Sequence, residues 1–448
     1  MRINIPEQAV KIIDVLEKAG FEAYVVGGCV RDSLLNKEPK DWDITTSAKP
    51  EQVKALFSRT IDTGIEHGTV TVMMNKEGYE VTTYREDGEY KDHRRPMGVT
   101  FTTSLEDDLK RRDFTINAMA YNETEGLVDL FGGKEDLENG ILRCVGEAKD
   151  RFDEDALRIL RALRFSAQLN FELEDKTKEA MREKCRFLED ISAERIQVEL
   201  TKLLVSNHPE KLITGYELGI TKVVLPEFDA MMETEQNHPY HCYNVGLHTM
   251  EVVKNIEPEP VLRWAALLHD VAKPKCRTQD EEGNDHFYGH GMQGEKMAEM
   301  VIKRMKLDNH TLHDVCVLVK HHDDRFALPV RKASVKRKLN KIGAKLFQDL
   351  LKLNKADSLG QVPKTWKEKD EYLQEVQSVF EEVMKEEECF SLKDLKVCGA
   401  DLIAAGIKPG KRMGEILEHL LEAVIEDPEK NEKEILLELA LGMESETE

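Results

Sequence analysis

The sequence predicts an α+β protein in which an N-terminal α/β domain is followed by all-α domains. Three observations support this fold class. The clearest alternation of β-branched residues lies before about residue 135. Apolar residues with helical spacing then continue from about residue 150 to the end of the chain. No apolar run approaches the roughly 18 residues that a membrane-spanning helix needs, so no membrane partner is expected.

Helix and strand signals alternate in the N-terminal part. Apolar residues between Val10 and Leu16 have the spacing of an amphipathic helix. The segment from Phe21 to Val26 predicts a strand that ends at Gly27-Gly28. Further segments continue the pattern as a strand pair at 69–74 and 79–84, a helix at 105–121 and a strand at 127–130.

Helical patterns dominate the rest of the chain. Asp153 is positioned to cap a long helix that continues through Leu163. The clearest later helical segments are 252–255, 262–268, 296–305, 312–320 and 345–354. We therefore predict four domains, with the α/β domain at residues 1–140 and helical domains at 141–235, 236–362 and 363–448.

Charge and cysteine content limit the classes of function. The chain has 64 basic and 86 acidic residues, a net charge of −22, which excludes a uniformly basic coat for nucleic acid but not a local basic stripe. The densest basic run, residues 331–345, is either such a stripe or a solvated helix face. The 8 cysteines form no CxxC pair. Together with a start that lacks a signal-peptide core, this predicts a cytoplasmic protein.

Two glycines followed by two carboxylates form the first candidate site. Gly27-Gly28 precede Arg31, and Asp41 and Asp43 follow. Because residues i and i+2 of a strand point to one face, the two aspartates can jointly hold a hard cation such as Mg²⁺. Backbone N–H groups at the glycines and the Arg31 guanidinium suit the phosphates of a nucleotide. A solvated acidic turn is the alternative explanation.

A row of charged residues follows at helical spacing. Asp155 and Arg158 would be neighbours on a helix, and Arg161 and Arg164 continue the row. Such residues often form surface ion pairs. An aspartate can also accept from the exocyclic amine of a base, and an arginine can donate to a ring nitrogen or carbonyl. The row by itself leaves both explanations open.

Together with Arg111-Arg112-Asp113, these blocks resemble the class II tRNA nucleotidyltransferases, the bacterial CCA-adding enzymes of the polymerase-β-like superfamily. The resemblance implies a polymerase-β-like head domain, a nucleotide-selecting neck and a tRNA-binding tail. It implies that Asp41 and Asp43 are catalytic and bind Mg²⁺, with Glu80 as the candidate third carboxylate. The nucleotide-binding residues that it implies are Gly28, Arg31, Arg112, Asp155, Arg158, Arg161 and Arg164. Of these, Asp155 and Arg158 match the protein template that selects the base.

The middle of the chain is rich in histidine. Ten of the 14 histidines lie between residues 238 and 322, where an even distribution would place about three. Imidazole and carboxylate ligands on several helices suit a transition metal or Mg²⁺. The series His…His-Asp…Asp resembles the HD phosphohydrolase superfamily, which implies an HD domain at 236–362 with an unidentified divalent metal. The implied ligands are His248, His269, Asp270, His290, His321 and Asp357, with His322 as the alternative to His321.

The two resemblances imply a tRNA maturation enzyme that adds C, C and A to the tRNA 3′ end from CTP and ATP. The HD domain would hydrolyse a phosphoester such as a 2′,3′-cyclic phosphate. Alternatives within the class are an enzyme that adds only CC or only A, or a poly(A) polymerase. The segment 84–96 resembles the loop that full CCA enzymes use to switch from C to A. The alternative from another class is an HD-domain alarmone or nucleotide phosphohydrolase. We expect a monomer or homodimer.

Overall fold

The computed structural model describes residues 2–88, 98–237, 242–386 and 390–445. Two compact units form the chain, one of Met1–Asp229 with Arg304–Lys306 and one of Ala230–Lys303 with Leu307–Glu448. This division lies a few residues before the predicted limit at 235, and the other domain limits remain predictions. Among the described residues, no helix is both long and apolar enough to cross a bilayer.

A seven-stranded sheet forms the centre of the N-terminal unit. The strands of this unit are β1 (Ala23–Val26), β2 (Ile44–Thr46), β3 (Thr60–Gly64), β4 (Thr69–Met74), β5 (Glu77–Thr83), β6 (Arg85–Asp87), β7 (Val99–Phe101), β8 (Met119–Asn122), β9 (Gly126–Asp129), β10 (Ile141–Leu142) and β11 (Glu172–Leu173). The main sheet has the order β3-β4-β5-β2-β1-β8-β9. Its β2 and β5 pair in parallel, and its other neighbours are antiparallel. The predicted 69–84 hairpin is confirmed as β4 and β5.

Helices surround the sheet and then continue without it. They are α1 (Glu7–Lys18), α2 (Gly28–Leu34), α3 (Pro50–Leu56), α4 (Leu105–Lys110), α5 (Gly133–Asn139), α6 (Ala148–Glu154), α7 (Leu157–Leu169), α8 (Asp175–Lys184), α9 (Ala193–Leu204), α10 (Leu212–Glu217), α11 (Ile220–Val224) and α12 (Pro226–Met232). The predicted first helix is confirmed, and its apolar face buries Ile12 and Leu16. This arrangement agrees with the predicted α/β head and helical continuation.

The prediction of one helix from 105 to 121 is wrong. Helix α4 ends at Lys110, a turn follows, and β8 begins at Met119. In the turn, Asp113 Oδ1 accepts from the Phe114 N–H at 2.8 Å and from the Asn117 amide at 3.1 Å. These local hydrogen bonds compete with the helical ones and stop the helix. The last residues of the segment join the sheet instead.

The predicted long helix from Asp153 is divided into α6 and α7. Asp155 lies between them with φ −138° and ψ 102°, which is extended backbone. Its Oδ1 accepts from the Leu157 N–H at 3.1 Å, so Asp155 satisfies a backbone donor at the start of α7. Asp153 lies inside α6 and does not cap the long helix. The break turns the Asp155 side chain away from the face on which a continuous helix would place it.

The C-terminal unit is mainly helical. Its elements are α13 (Val245–Asn255), α14 (Pro260–Leu268), α15 (Lys273–Cys276), β12 (Thr278–Gln279), β13 (Asp285–His286), α16 (His290–Arg304), α17 (Asn309–His321), α18 (Lys332–Leu359), α19 (Trp366–Lys385), α20 (Gly399–Ala404), α21 (Lys411–Glu426) and α22 (Lys433–Ser445). Helix α18 is interrupted at Gly343, where φ is 78°. A cluster around Phe347 and Phe380 forms part of the core between α18 and α19.

The basic run at 331–345 begins helix α18. Arg337 pairs with Glu422, and Lys338 pairs with Asp324. Carboxylates of the same unit therefore neutralise part of the run. It is neither a continuous basic stripe nor a purely solvated helix face.

Candidate active sites

A cavity of about 610 Å³ in the N-terminal unit brings together the predicted transferase residues. All nine line it: Gly28, Arg31, Asp41, Asp43, Arg112, Asp155, Arg158, Arg161 and Arg164. In total seven arginines and four aspartates line the cavity. This excess of positive charge suits a polyphosphate, because guanidinium groups bind phosphate oxygens bidentately.

Carboxylates gather at one edge of the cavity. Asp41 and Asp43 come just before β2, and Ile44 pairs with Val81 of β5. Glu80 therefore lies beside Asp43, on the neighbouring strand. Burial, and then the charge of Glu80, raise the pKa of Asp43 above its ordinary value. Oxygen donors with crowded negative charge fit Mg²⁺, since a hard cation would relieve the repulsion. Glu80 as a third catalytic carboxylate stays a prediction.

Backbone geometry positions the glycine turn against the arginines. Gly27 has φ 79° and ψ −124°, a conformation that other residues rarely adopt. A Cβ atom at Gly27 would lie 3.1 Å from Arg112 Nη1. Arg31 Nη1 donates to Asn117 Oδ1 at 2.7 Å, which orients its guanidinium. The absence of a side chain at Gly27 thus lets the Arg112 guanidinium approach the turn, beside the oriented Arg31.

Protein partners hold both residues of the predicted template. Asp155 Oδ2 accepts from Arg195 Nη2 at 2.8 Å. Arg158 Nη1 lies 2.5 Å from Glu154 Oε2, and its Nη2 donates to the Arg111 carbonyl at 3.1 Å. Both side chains are therefore oriented before any nucleotide is present. Orientation in advance reduces the entropy lost when a base is bound.

Buried carboxylates hold the next two arginines of α7. Arg161 Nη2 donates to Asp113 Oδ2 at 2.6 Å, and Arg164 Nε donates to Glu199 Oε2 at 2.5 Å. Burial alone would raise the pKa of Asp113, but Arg161 outweighs it and lowers that pKa to about 2. Asp113 is therefore ionised at neutral pH and fixes one wall of the cavity.

Sequence reasoning named Asp113 only within the Arg111-Arg112-Asp113 block, and it missed Asn117, Phe165 and Arg195 as members of the site. Asp113 and Asn117 stand close to Arg112 in the chain, so their block gave a usable signal. Arg195 lies 40 residues after Asp155, and no spacing rule connects them. Phe165 packs beneath the arginines, with the Arg164 guanidinium 3.9 Å from its ring centroid. In the segment 84–96, β6 begins a pair with β7. Residues 89–97 lie outside the described chain.

A second cluster of polar residues is buried in the C-terminal unit. The described residues contain two groups that could each hold a metal ion: His248, His269 and Asp357, and Asp270, His290 and His322. Five helices bring them together, because the six residues lie on or directly beside α13, α14, α16, α17 and α18. All six side chains are buried. Buried imidazoles and carboxylates at such density are typical of metal sites.

Asp270 lies between the two groups. Its Oδ2 is 3.2 Å from His269 Nε2 and 3.6 Å from His248 Nε2. Its Oδ1 is 3.5 Å from the Nε2 atoms of both His290 and His322. Neither oxygen accepts a well-aligned hydrogen bond from the described residues, although Lys273 Nζ lies 2.7 Å from Oδ2. Asp270 is therefore the carboxylate next to both groups and would offer one oxygen to a metal ion held by each.

Backbone carbonyls orient the four imidazole rings of the cluster. The Nδ1 atoms of His248 and His269 lie 3.0 and 2.7 Å from carbonyl oxygens, and those of His290 and His322 lie 2.8 Å from theirs. A carbonyl only accepts, so each Nδ1 carries a hydrogen, and in the neutral form of each ring Nε2 would present a lone pair. The Nε2 atoms then face one another in pairs, at 3.4 Å and 3.1 Å. In that form a metal ion held by both nitrogens of a pair would remove the repulsion between their lone pairs.

His322, not His321, belongs to this cluster. His321 ends α17 and turns its Nδ1 to Asp324 Oδ2, at 2.7 Å. His322 is the next residue and points about 100° away from it, toward His290. The choice of His321 as the ligand is therefore wrong, and the predicted alternative at 322 is the one that the fold brings into the cluster.

Electrostatics favour the forms of these side chains that bind metal. Burial alone would raise the pKa of Asp270, but His269 and Lys273 outweigh it and hold that pKa well below its usual range. Burial lowers the pKa of His290, which favours its neutral form. An ionised carboxylate and neutral imidazoles are the species that act as ligands.

Comparisons with known proteins agree with the N-terminal site. The poly A polymerase head domain matches residues 23–143. The probable RNA and SrmB-binding site of polymerase A matches 170–232, and the tRNA nucleotidyltransferase domain 2 matches 288–440. His248, His269 and Asp270 lie outside these three ranges. The head-domain match contains the cavity residues from Gly28 to Arg112, whereas those from Asp155 to Arg164 lie between two matched ranges. The third range contains the other three residues of the buried cluster, His290, His322 and Asp357.

Similar whole proteins extend the match along the chain. A CCA-adding enzyme of Lactobacillus helveticus is 48% identical over 242 residues, which are 54% of this chain and 61% of that enzyme, so that match spans less than two thirds of the relative. A CCA-adding enzyme of Ligilactobacillus salivarius is 36% identical over a match that covers 98% of this chain and 97% of that enzyme. The crystal structure of the Bacillus stearothermophilus CCA-adding enzyme in complex with CTP is 30% identical, covers 98% of both chains and has a TM-score of 0.73. On this evidence the chain belongs to the CCA-adding enzyme family of nucleotidyltransferases.

Proposed function

We propose that this enzyme adds C, C and A to the 3′ end of tRNA in the cytoplasm, using CTP, ATP and Mg²⁺. The observation that carries the proposal is the single cavity lined by all nine predicted transferase residues. The similar Bacillus stearothermophilus enzyme, whose structure contains CTP, supports a nucleotide as the ligand.

Asp41 and Asp43 would hold the Mg²⁺ in this proposal. Bound Mg²⁺ would supply positive charge to the attacking hydroxyl and to the departing pyrophosphate. Arg31 and Arg112 line the same cavity and would bind phosphate oxygens, which keeps the α-phosphate in line with the tRNA 3′ hydroxyl. That hydroxyl oxygen bonds to the α-phosphorus, and the bond to pyrophosphate breaks. Most of the rate enhancement would come from positioning and charge.

Base selection would rest on Asp155 and Arg158. The Asp155 carboxylate is an acceptor for the exocyclic amines that C and A have and that U lacks at the equivalent position. The Arg158 guanidinium is a donor for their ring nitrogens or carbonyls. Since both side chains are already oriented by Arg195 and Glu154, the protein can recognise a base without a nucleic-acid template.

Product length tests the proposal directly. A tRNA that lacks its 3′ CCA is incubated with CTP alone, with ATP alone, and with both. We expect two added residues with CTP alone and three with both nucleotides. Addition limited to CC or to A would indicate a partial enzyme, and a long A tail would indicate a poly(A) polymerase. Each of these outcomes would contradict CCA addition.

The C-terminal cluster supports a second proposed function, a binuclear metal-dependent phosphohydrolase. The observation that favours it is the pair of three-ligand groups with Asp270 between them. Such a pair can bind a phosphoester and activate water next to it. A 2′,3′-cyclic phosphate at an RNA end is a suitable substrate class, because its removal frees the hydroxyl that the transferase uses. Hydrolysis assays with Mg²⁺, Mn²⁺, Ni²⁺ and Co²⁺ test the proposal, and absence of hydrolysis with all four would contradict it.

A further inference from the structure

The metal-ligand cluster forms the wall of a cavity of about 380 Å³ in the C-terminal unit. Asp270, His290, His322 and Asp357 line it, and so do side chains that cannot serve as ligands of the same ions. An aromatic pair and several cations are the most informative of these. These side chains indicate which organic ligand the cavity would bind in addition to a metal ion.

Two aromatic side chains stack in the wall of this cavity. The rings of His286 and Tyr288 are nearly parallel, at 8° between planes and 5.3 Å between centroids. Asp280 holds the His286 ring, with Nε2 to Oδ2 at 2.9 Å. Tyr288 is 77% exposed, so the ring face opposite His286 is free of protein contact over much of its area. A tyrosine ring that packs on His286 with one face and is exposed on the other can stack on another flat ring.

Cations surround the space next to this pair. Lys273, Arg325 and Lys369 all line the cavity. The charge of Lys273 lies near the metal-ligand cluster, since its Nζ is 2.7 Å from Asp270 Oδ2. Lys369 donates to the Gln361 side chain. Positive side chains beside a phosphohydrolase centre would attract the phosphate of a substrate.

Asp270 pairs with Lys273, so Arg325 and Lys369 are the cations that could contact a phosphate. Asp285 is held by Arg277, Nε to Oδ1 at 2.9 Å, and does not oppose a phosphate. Asp323 lies 4.0 Å from Arg325, a loose contact between exposed groups. The cavity thus joins a metal-ligand cluster, cations and an aromatic surface.

We propose that Tyr288, supported by His286, is a base-stacking residue that makes this cavity selective for phosphoesters carrying a nucleobase. The inference rests on the proposed phosphohydrolase function and adds a specificity determinant to it. In the reaction, water adds its oxygen to phosphorus, the bond to the ribose oxygen breaks, and a proton from the water completes the ribose hydroxyl. Tyr288 takes no part in these steps and acts on substrate binding alone.

Two substrates, one with a nucleobase and one without, separate base stacking from phosphate binding. Adenosine 2′-phosphate carries a base, and β-glycerol phosphate does not. In Tyr288→Ala we expect KM for adenosine 2′-phosphate to rise by about fivefold or more with kcat unchanged. We expect KM for β-glycerol phosphate to change by less than twofold. Tyr288→Phe keeps the ring and should restore the wild-type KM. Met292→Ala, a change at another exposed side chain, serves as the control.

A binding measurement makes the test independent of catalysis. The fluorescence of a 2-aminopurine riboside monophosphate is quenched when its base stacks on another ring. We expect wild type and Tyr288→Phe to quench it and Tyr288→Ala not to. Equal quenching by all three proteins, or equal KM changes for both substrates, would overturn the inference. If wild type hydrolyses neither substrate, the phosphohydrolase proposal fails, and the quenching result alone decides whether Tyr288 stacks a base.

Discussion

Arg195 holds the carboxylate of Asp155 at 2.8 Å, although 40 residues separate them in the chain. Asp155 also accepts from the Leu157 N–H through its other oxygen, so both oxygens are fixed. Each carboxylate oxygen has a further lone pair, which leaves acceptors for a base amine. In the proposed base selection, Arg195 would therefore act through Asp155 as a positioning residue.

Asp155→Ala should impair discrimination between nucleotides more than triphosphate binding. Loss of a base-edge acceptor costs about 1–3 kcal/mol of discrimination, roughly 5- to 150-fold. The measurement is the ratio of kcat/KM for CTP to that for UTP. Asp153→Ala, which changes an aspartate on α6 that pairs with Lys184, is the matched control. Rejection of UTP and GTP as strict as in wild type would remove Asp155 from the template.

Arg195→Ala should lower the same ratio by a smaller factor, because it leaves the carboxylate in place but less well oriented. The double variant Asp155→Ala, Arg195→Ala should be no less selective than Asp155→Ala alone, since residues that act through one contact are not additive. Fully additive losses in this double-mutant cycle would mean that Arg195 acts independently of Asp155.

Asp43→Ala should lower the rate of incorporation of both CTP and ATP by about 1,000-fold or more. A loss of about 4 kcal/mol in transition-state stabilisation corresponds to that factor. Binding of tRNA, measured by filter retention, should change little because the lost charge serves the reacting phosphate. Asp62→Ala, an aspartate on β3 paired with Lys54, controls for general effects. We expect the same result for Asp41→Ala, and robust CMP addition by either variant would disprove the catalytic role.

His322→Ala should reduce the metal bound to the C-terminal unit from two ions to one, while His321→Ala should keep both. His322 faces His290 and Asp270, whereas His321 pairs with Asp324 on the outside. Elemental analysis of metal-loaded, desalted protein measures the ratio. CCA addition to a tRNA that lacks CCA and has a free 3′ hydroxyl should survive in both variants. Equal metal content in the two would contradict the assignment.

Asp113 should make stability depend on pH in the acid range. Its folded pKa of about 2 lies below the ordinary value of 3.8, so its contribution is fully present above pH 4 and is lost as pH falls through 2. The shift corresponds to about 2 kcal/mol in the free energy of unfolding. Urea unfolding should show Asp113→Asn less stable than wild type by about that amount at pH 7, with the difference shrinking toward pH 2. A difference that stays constant with pH would contradict this.

The sequence by itself determined the residues whose relation is local. Gly28 and Arg31 share one turn of α2, so helical spacing alone brings them together. Asp41 and Asp43 are two residues apart but come before β2, so the strand periodicity expected for them does not apply, although both line the cavity. Helical spacing also predicted five of the ten α-helices described in the C-terminal unit, namely α13, α14, α16, α17 and α18. These features follow from backbone periodicity, which a few neighbouring residues decide.

Tertiary structure decided what depends on distant partners. Side-chain hydrogen bonds and the pairing of β8 with β1 ended the predicted helix at 105–121, and a break at Asp155 divided the next one. Arg195 meets Asp155 only because α9 packs on α7. His321 and His322 are equivalent in sequence, but successive helical residues point about 100° apart, so the packing of α17 alone decides which one enters the cluster.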